Sequence, residues 1–220
     1  MEIADHPSPN FGPRRDGARP ELVVLHYTAM EAAAARARLC APEHKVSAHY
    51  LIDPDGAIWR LVDEDRRAWH AGAGTWRGRG DVNSRSIGIE LANSGATPFA
   101  APQMRALEAL LRDILARWAM PAQAVIGHAD LAPDRKQDPG PRFDWRGLAR
   151  QRLAVWPAAH APAQAAPAAF AAAAARFGYD PASAQVLRAF RHRFRPWAVG
   201  SLDGWDVAAA QDLARRFGGD

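Results

Sequence analysis

His26 closes the run Leu22-Val23-Val24-Leu25, and His128 follows Val125-Ile126-Gly127. Each histidine ends a short apolar, β-rich segment that reads as a buried strand, so each imidazole is expected at a rigid sheet rim. His128 also opens a loop rich in Asp and Pro, Gly127 to Pro141, which carries Asp130, Asp134, Lys136 and Asp138. A catalytic zinc site takes three protein ligands and keeps one position open, and imidazole nitrogen and carboxylate oxygen are suitable donors. His26 and His128 supply two. Spacing leaves the third open among Asp130, Asp134 and Asp138, and Asp138 has the best local case because Pro139 and Pro141 stiffen the backbone around it. Lys136 lies two residues earlier, so in an extended stretch both side chains point the same way. Glu90 sits inside Ile87-Gly88-Ile89-Glu90-Leu91, where an unpaired carboxylate is costly to bury. It must reach the sheet rim or meet a cation. Together these residues suit metal-assisted hydrolysis, whereas each histidine alone reads more readily as a hydrogen-bonded structural residue.

The elements that must position these groups alternate. Glu21 to Thr28 is a buried strand, followed by a helix over about Glu31 to Leu39. Val46 to Val62 reads as a hairpin around Asp53-Pro54-Asp55-Gly56, whose proline and glycine suit a type I turn. Ser86 to Leu91 is another buried strand. Met104, Leu107, Leu110, Leu111, Ile114, Leu115 and Trp118 fall on one helical face between Pro102 and Pro121. Val125 to Gly127 is a short strand, and a last helix starts near Asp144. This interleaving predicts an α/β fold with a central mixed β-sheet flanked by helices, over residues 1–155. Residues 156–169, with three prolines among alanines, read as an extended linker. Residues 170–220 read as a small three-helix domain. One helix ends at Phe177-Gly178, a second restarts at Asp180-Pro181 and stops before Pro196, and a third runs from about Trp205 to Arg216. So small a unit is expected to lean on the first domain.

Composition narrows the class. The 220 residues carry 28 Lys+Arg against 24 Asp+Glu, a net charge of +4, with 48% hydrophobic residues, which excludes wholesale disorder. No apolar run reaches the length needed to cross a bilayer. One cysteine, Cys40, excludes an internal disulfide framework and a cysteine-built zinc cage, and it reads as an ordinary thiol. The N-terminal Met1 to Pro7 lacks the pattern of an export signal, which points to the cytoplasm. Arg188, Arg191, Arg193 and Arg195 make either an anionic-ligand patch or, preferably, a solvated helix face. Without a helix-turn-helix or aromatic–basic RNA motif, no nucleic-acid partner is expected. Only Lys45 and Lys136 are lysines, and a compact point charge with a tunable pKa is what arginine cannot provide.

Five segments taken in order carry a resemblance. They are Leu22 to Thr28, Val46 to Ile52, Trp69-His70-Ala71-Gly72, Asn83 to Glu90, and the loop from Gly127 to Pro141. As a set they resemble the zinc N-acetylmuramoyl-L-alanine amidases, the amidase_2 family shared with phage-type lysozymes and peptidoglycan recognition proteins, and most closely its AmpD and AmiD branches. The resemblance implies one zinc per chain, with ligands His26, His128 and Asp138, and catalytic roles for Glu90 and Lys136. It implies hydrolysis of the amide between the lactyl group of N-acetylmuramic acid, or its 1,6-anhydro form, and L-alanine of the stem peptide. Peptidoglycan fragments or muropeptides would be the partners, in muropeptide recycling. His49, Tyr50, His70 and Asn83 are expected to contact substrate or support the ligands. Past the linker, Phe177 to Asp180, Ala189 to Pro196 and Leu202 to Gly204 resemble a peptidoglycan-binding three-helix domain. The rival readings are an envelope amidase of the AmiD type acting on the wall itself, and a zinc-free peptidoglycan binder. Retention of all three candidate ligands with Glu90 and Lys136 favours activity.

Overall fold

The computed structural model describes residues 2–219. In chain order the elements are β1 (Ala4–Asp5), β2 (Phe11–Pro13), β3 (Leu22–Tyr27), α1 (Ala32–Cys40), β4 (Tyr50–Ile52), β5 (Ile58–Arg60), β6 (Arg66–Ala68), α2 (Val82–Arg85), β7 (Ser86–Leu91), α3 (Ala101–Arg117), β8 (Val125–Gly127), α4 (His128–Leu131), α5 (Trp145–Arg150), α6 (Pro167–Phe177), α7 (Val186–Phe194) and α8 (Gly204–Phe217). Six strands form one mixed sheet in the order β1-β5-β4-β7-β3-β8, and β2 pairs with β6 separately. β3 runs parallel to both β7 and β8, and β4 turns back antiparallel to β5. The expected α/β architecture is the observed one.

Alternation along β3 and β7 assigns the two faces of this sheet. Val23, Leu25, Ile87 and Ile89 point to one side, where Leu107, Leu110, Leu111 and Ile114 of α3 cover them. Each of these leucines is fully buried, a contribution of roughly 1.5–3 kcal/mol apiece. The opposite side carries Leu22 and Val24, which join Trp76, Ile126 and the helical C-terminal unit in a second core. His26 has the parity of Leu22 and Val24. It stands opposite Glu90 in the parallel register of β3 and β7, so both side chains leave the sheet on the same side.

Several expectations change in the C-terminal unit. The Asp180-Pro181 restart is not a helix start: α7 begins at Val186, because the Asp180 carboxylate accepts from the Ala182 amide at 2.9 Å and folds a tight turn. The cap lies later, where Asp203 and Asp206 form a reciprocal capping box on α8. The proline-containing linker segment lies against the helical unit. Ala158 donates to Asp212 at 2.8 Å and Ala163 to the Gly204 carbonyl at 2.9 Å, which lays the strap against α8, and α6 begins at Pro167.

The solvated-face reading fails for three of the four arginines, and only Arg188 is exposed. Arg191 is buried on Asp206, and Arg195 pairs with Asp203 and Asp206. Arg188 donates to the Pro133 carbonyl at 2.6 Å. Arg193, 2% exposed, bonds Asp130 at 2.6 Å and the Val125 carbonyl at 2.9 Å, and its guanidinium lies 4.4 Å from the Trp145 ring centre. Charges enter a core only when paired, and Arg191 and Arg193 of α7 find their partners there.

Candidate metal centre

β3 and β8 both end at the same rim, where His26, next to last in β3, meets His128, the first residue of α4. His26 Nδ1 lies 2.9 Å from His128 Nδ1, and both nitrogens lie 3.0 Å from Asp138 Oδ2. All three residues are buried. The loop that returns Asp138 to the rim is stitched by backbone bonds: Ala129 donates to the Asp138 carbonyl at 2.9 Å, and Lys136 to the Ala132 carbonyl at 3.0 Å. Gly127 admits this closure, since a Cβ there would sit 2.8 Å from Pro139 Cδ.

The other two aspartates have different work. Asp130 accepts from the Gly127 amide at 2.8 Å, from Tyr179 at 2.5 Å and from Arg193, so it ties the helical unit to α4. Asp134 is exposed. Among the described residues, His26, His128 and Asp138 form a group whose ligand atoms all lie within 4.8 Å of one another.

The protonation states of this group suit a cation. Burial and the neighbouring His128 push His26 down to about 4, so its ring is neutral near pH 7. Burial alone would raise the Asp138 carboxyl, but the facing His128 and His26 rings hold it well below the usual carboxylate range. His128 Nε2 lies 2.9 Å from the Ala71 carbonyl, which can only accept, so the ring proton is there and Nδ1 presents a lone pair to the centre. Tetrahedral zinc with bonds of 2.0–2.1 Å needs donors about 3.3 Å apart, close to the separations found here. The donor set and its spacing therefore fit a zinc ion.

A cleft of about 410 Å³ opens over this group, lined by Tyr27, Trp69, His70, Glu90, Arg135 and Lys136 among others. Burial pushes the Glu90 carboxyl up to about 8, helped by the Asp138 charge and opposed by Lys136. Its Oε2 is buried without a hydrogen-bond partner, and the residue lines the cleft.

The four supporting candidates divide. His70 packs edge-on against His26, with ring centres 5.1 Å apart, and bonds its Nε2 at 3.0 Å. Asn83 Oδ1 accepts from the amides of His70 and Ala71, at 3.1 and 2.8 Å. His49 is removed from the cleft, its Nδ1 taken by the Gly88 amide at 2.9 Å and its Nε2 facing the Arg66 carbonyl at 3.1 Å. Tyr50 lies in the α3 core with its hydroxyl on Glu64 at 2.9 Å. Two contributors escaped sequence reasoning. Ser86 Oγ meets His70 Nε2 at 3.1 Å, and Arg135 donates to the Ala73 carbonyl at 2.7 Å, closing the segment over the rim. Strand alternation places Ser86, Gly88 and Glu90 on one face and was the available signal for Ser86. No pattern pointed to Arg135.

Comparison with known proteins follows the same outline. Residues 16–141 match the Amidase_2 family, described as N-acetylmuramoyl-L-alanine amidase. The chain is 36% identical to the Escherichia coli N-acetylmuramoyl-L-alanine amidase AmiD, over 92% of this chain and 85% of that protein. It is 36% identical to the 1,6-anhydro-N-acetylmuramyl-L-alanine amidase AmpD of Citrobacter freundii, over 70% of this chain and 90% of that one. Escherichia coli AmiD in complex with the substrate anhydro-N-acetylmuramic acid-L-Ala-D-γ-Glu-L-Lys superposes with a TM-score of 0.84 at 36% identity, covering 93% of each chain. Pseudomonas aeruginosa AmpDh3 with anhydromuramic pentapeptide superposes with a TM-score of 0.81 at 32% identity, covering 93% of this chain and 95% of that one.

Proposed function

This chain belongs to the Amidase_2 family of N-acetylmuramoyl-L-alanine amidases, and from that premise we propose that His26, His128 and Asp138 hold one zinc ion per chain beside the catalytic groups Glu90 and Lys136. The observation that carries this reading is the convergence of two imidazole nitrogens and a carboxylate oxygen at 2.9–3.0 Å. When bound, zinc supplies Lewis acidity, polarising a carbonyl and acidifying water toward neutrality.

Glu90 takes the proton of the attacking water and passes it to the departing L-alanine nitrogen. Its unpartnered Oε2 is the atom available for this transfer. Base action needs the carboxylate form, which burial opposes in this pocket, and a divalent cation nearby offsets that opposition together with Lys136. The Lys136 ammonium faces the same cleft and stabilises the oxyanion that develops on the lactyl carbonyl. Asn83 and His70 support the ligands from beneath.

The substrate is the lactyl–L-alanine amide of a muropeptide, with 1,6-anhydro sugars included, as in the ligands carried by AmiD and AmpDh3. A second reading, hydrolysis of the intact wall, is favoured by one observation: likeness to AmiD covers 92% of the chain, helical unit included. In that reading the helical unit adds a peptidoglycan contact. Mass analysis of products from anhydro-muropeptide and from intact sacculi, with and without a chelator, tests both. Free L-Ala-headed peptide from muropeptide alone supports recycling in the cytoplasm, and release from sacculi supports an envelope enzyme. Chelator-insensitive cleavage contradicts the zinc reading.

A further inference from the structure

The segment His70-Ala71 touches both imidazoles of the centre from behind, and hydrogen-bond polarity fixes what it does there. Ser86 Oγ lies 2.6 Å from the Val82 carbonyl oxygen, so the single hydroxyl proton points to that oxygen. Ser86 can then only accept from His70 Nε2, which lies 3.1 Å away and must carry the ring proton. His70 Nδ1 is consequently a bare acceptor, and it takes the proton of His26 Nε2 at 3.0 Å. That leaves His26 Nδ1 as a lone pair facing His128 and Asp138. The next residue does the same for the second ligand, because the Ala71 carbonyl receives His128 Nε2 at 2.9 Å.

The backbone is arranged to keep this segment in place. Asn83 Oδ1 accepts from both the His70 and the Ala71 amides. The His70 ring lies flat over β7 at Gly88, where any Cβ would come within 2.4 Å of the imidazole. A glycine is required at that point of the strand for the ring to reach both Ser86 and His26.

We propose that Ser86, His70 and Ala71, pinned by Asn83 and given room by Gly88, are a positioning device that sets the tautomer of both metal-binding histidines before the ion arrives. This rests on the zinc reading above. Partners behind metal-bound histidines typically change metal affinity by about 10–100-fold when removed. His70 is a positioning residue and touches no substrate in this role.

The test is zinc competition against a chromophoric chelator on the full-length protein, wild type and variants, together with long-range proton–nitrogen NMR of the imidazoles. His70→Leu fills the space and cannot accept, and zinc affinity should fall about 10–100-fold. His70→Asn restores an acceptor near the Nδ1 position and should recover most of that loss. In the zinc-loaded wild type, His70 should appear as the Nε2–H tautomer, a reading that survives even if His70→Leu fails to fold. Wild-type affinity in His70→Leu, no recovery by His70→Asn in a folded protein, or an Nδ1–H tautomer at His70 would each overturn the proposal. Failure of the wild type to bind zinc at all overturns the reading beneath it instead.

Discussion

The two halves of the proposed metal centre are held by different physics. His26 and Glu90 stand on neighbouring strands whose register is set by a backbone ladder, and the groups behind His26 are neutral. His128, Lys136 and Asp138 sit on α4 and the loop after it. That segment is anchored by charge from the helical unit: Arg193 and Tyr179 on Asp130, and Arg188 on the Pro133 carbonyl. A ladder tolerates loss of one side chain, whereas a buried ion pair broken on one side leaves a costly unpaired charge. The strand half should therefore fail locally when altered, and the loop half should fail together with the helical unit.

The largest effect tests the meeting point of the halves. Asp138→Ala removes the carboxylate that faces both rings, and zinc content and amidase turnover should both vanish. Glu90→Gln, on the strand half, should lower turnover by about 10²–10⁴-fold while zinc content stays at one per chain. Equal loss of zinc in that variant would break the division of labour. Arg193→Met, on the loop half, strands Asp130 and should cost about 3–5 kcal/mol in denaturant unfolding, with faster amide exchange over 128–138. Exchange confined to the helical unit would contradict the coupling.

The smallest effect concerns pH. The Glu90 carboxyl is pushed up to about 8 in the fold, above its ordinary value of 4.5. A raised carboxyl pKa favours the folded state while the group is protonated, and that contribution fades as pH climbs through the window between the two values. Zinc-stripped Glu90→Gln should therefore melt several degrees above zinc-stripped wild type near pH 8.5 and match it below about pH 4, by calorimetry. The opposite ordering would mean that Glu90 is compensated in the free protein.

How much of this was legible in the sequence follows the same divide. His26, Glu90 and the sheet core announced themselves because strand periodicity is local, and α3 did so by its leucine spacing. The Asp-rich loop showed three candidate carboxylates, and residue spacing could not choose among them. Only the fold reveals that Asp130 is spent on Arg193 and Tyr179, some 50 residues or more further along the chain. The arginines of α7 misled for the same reason, since their partners lie on other elements. The strands β1, β2 and β6 carry no β-rich pattern in Ala4–Asp5, Phe11–Pro13 and Arg66–Ala68. Pairing with a neighbour, rather than propensity, makes them strands.

Metal analysis of purified protein, run beside a muropeptide hydrolysis assay, tests the centre most directly. The wild type should carry one zinc per chain, lose activity as a chelator removes it and regain activity on return of the ion, while His128→Ala carries none. Full hydrolysis by protein free of any divalent metal would contradict the account.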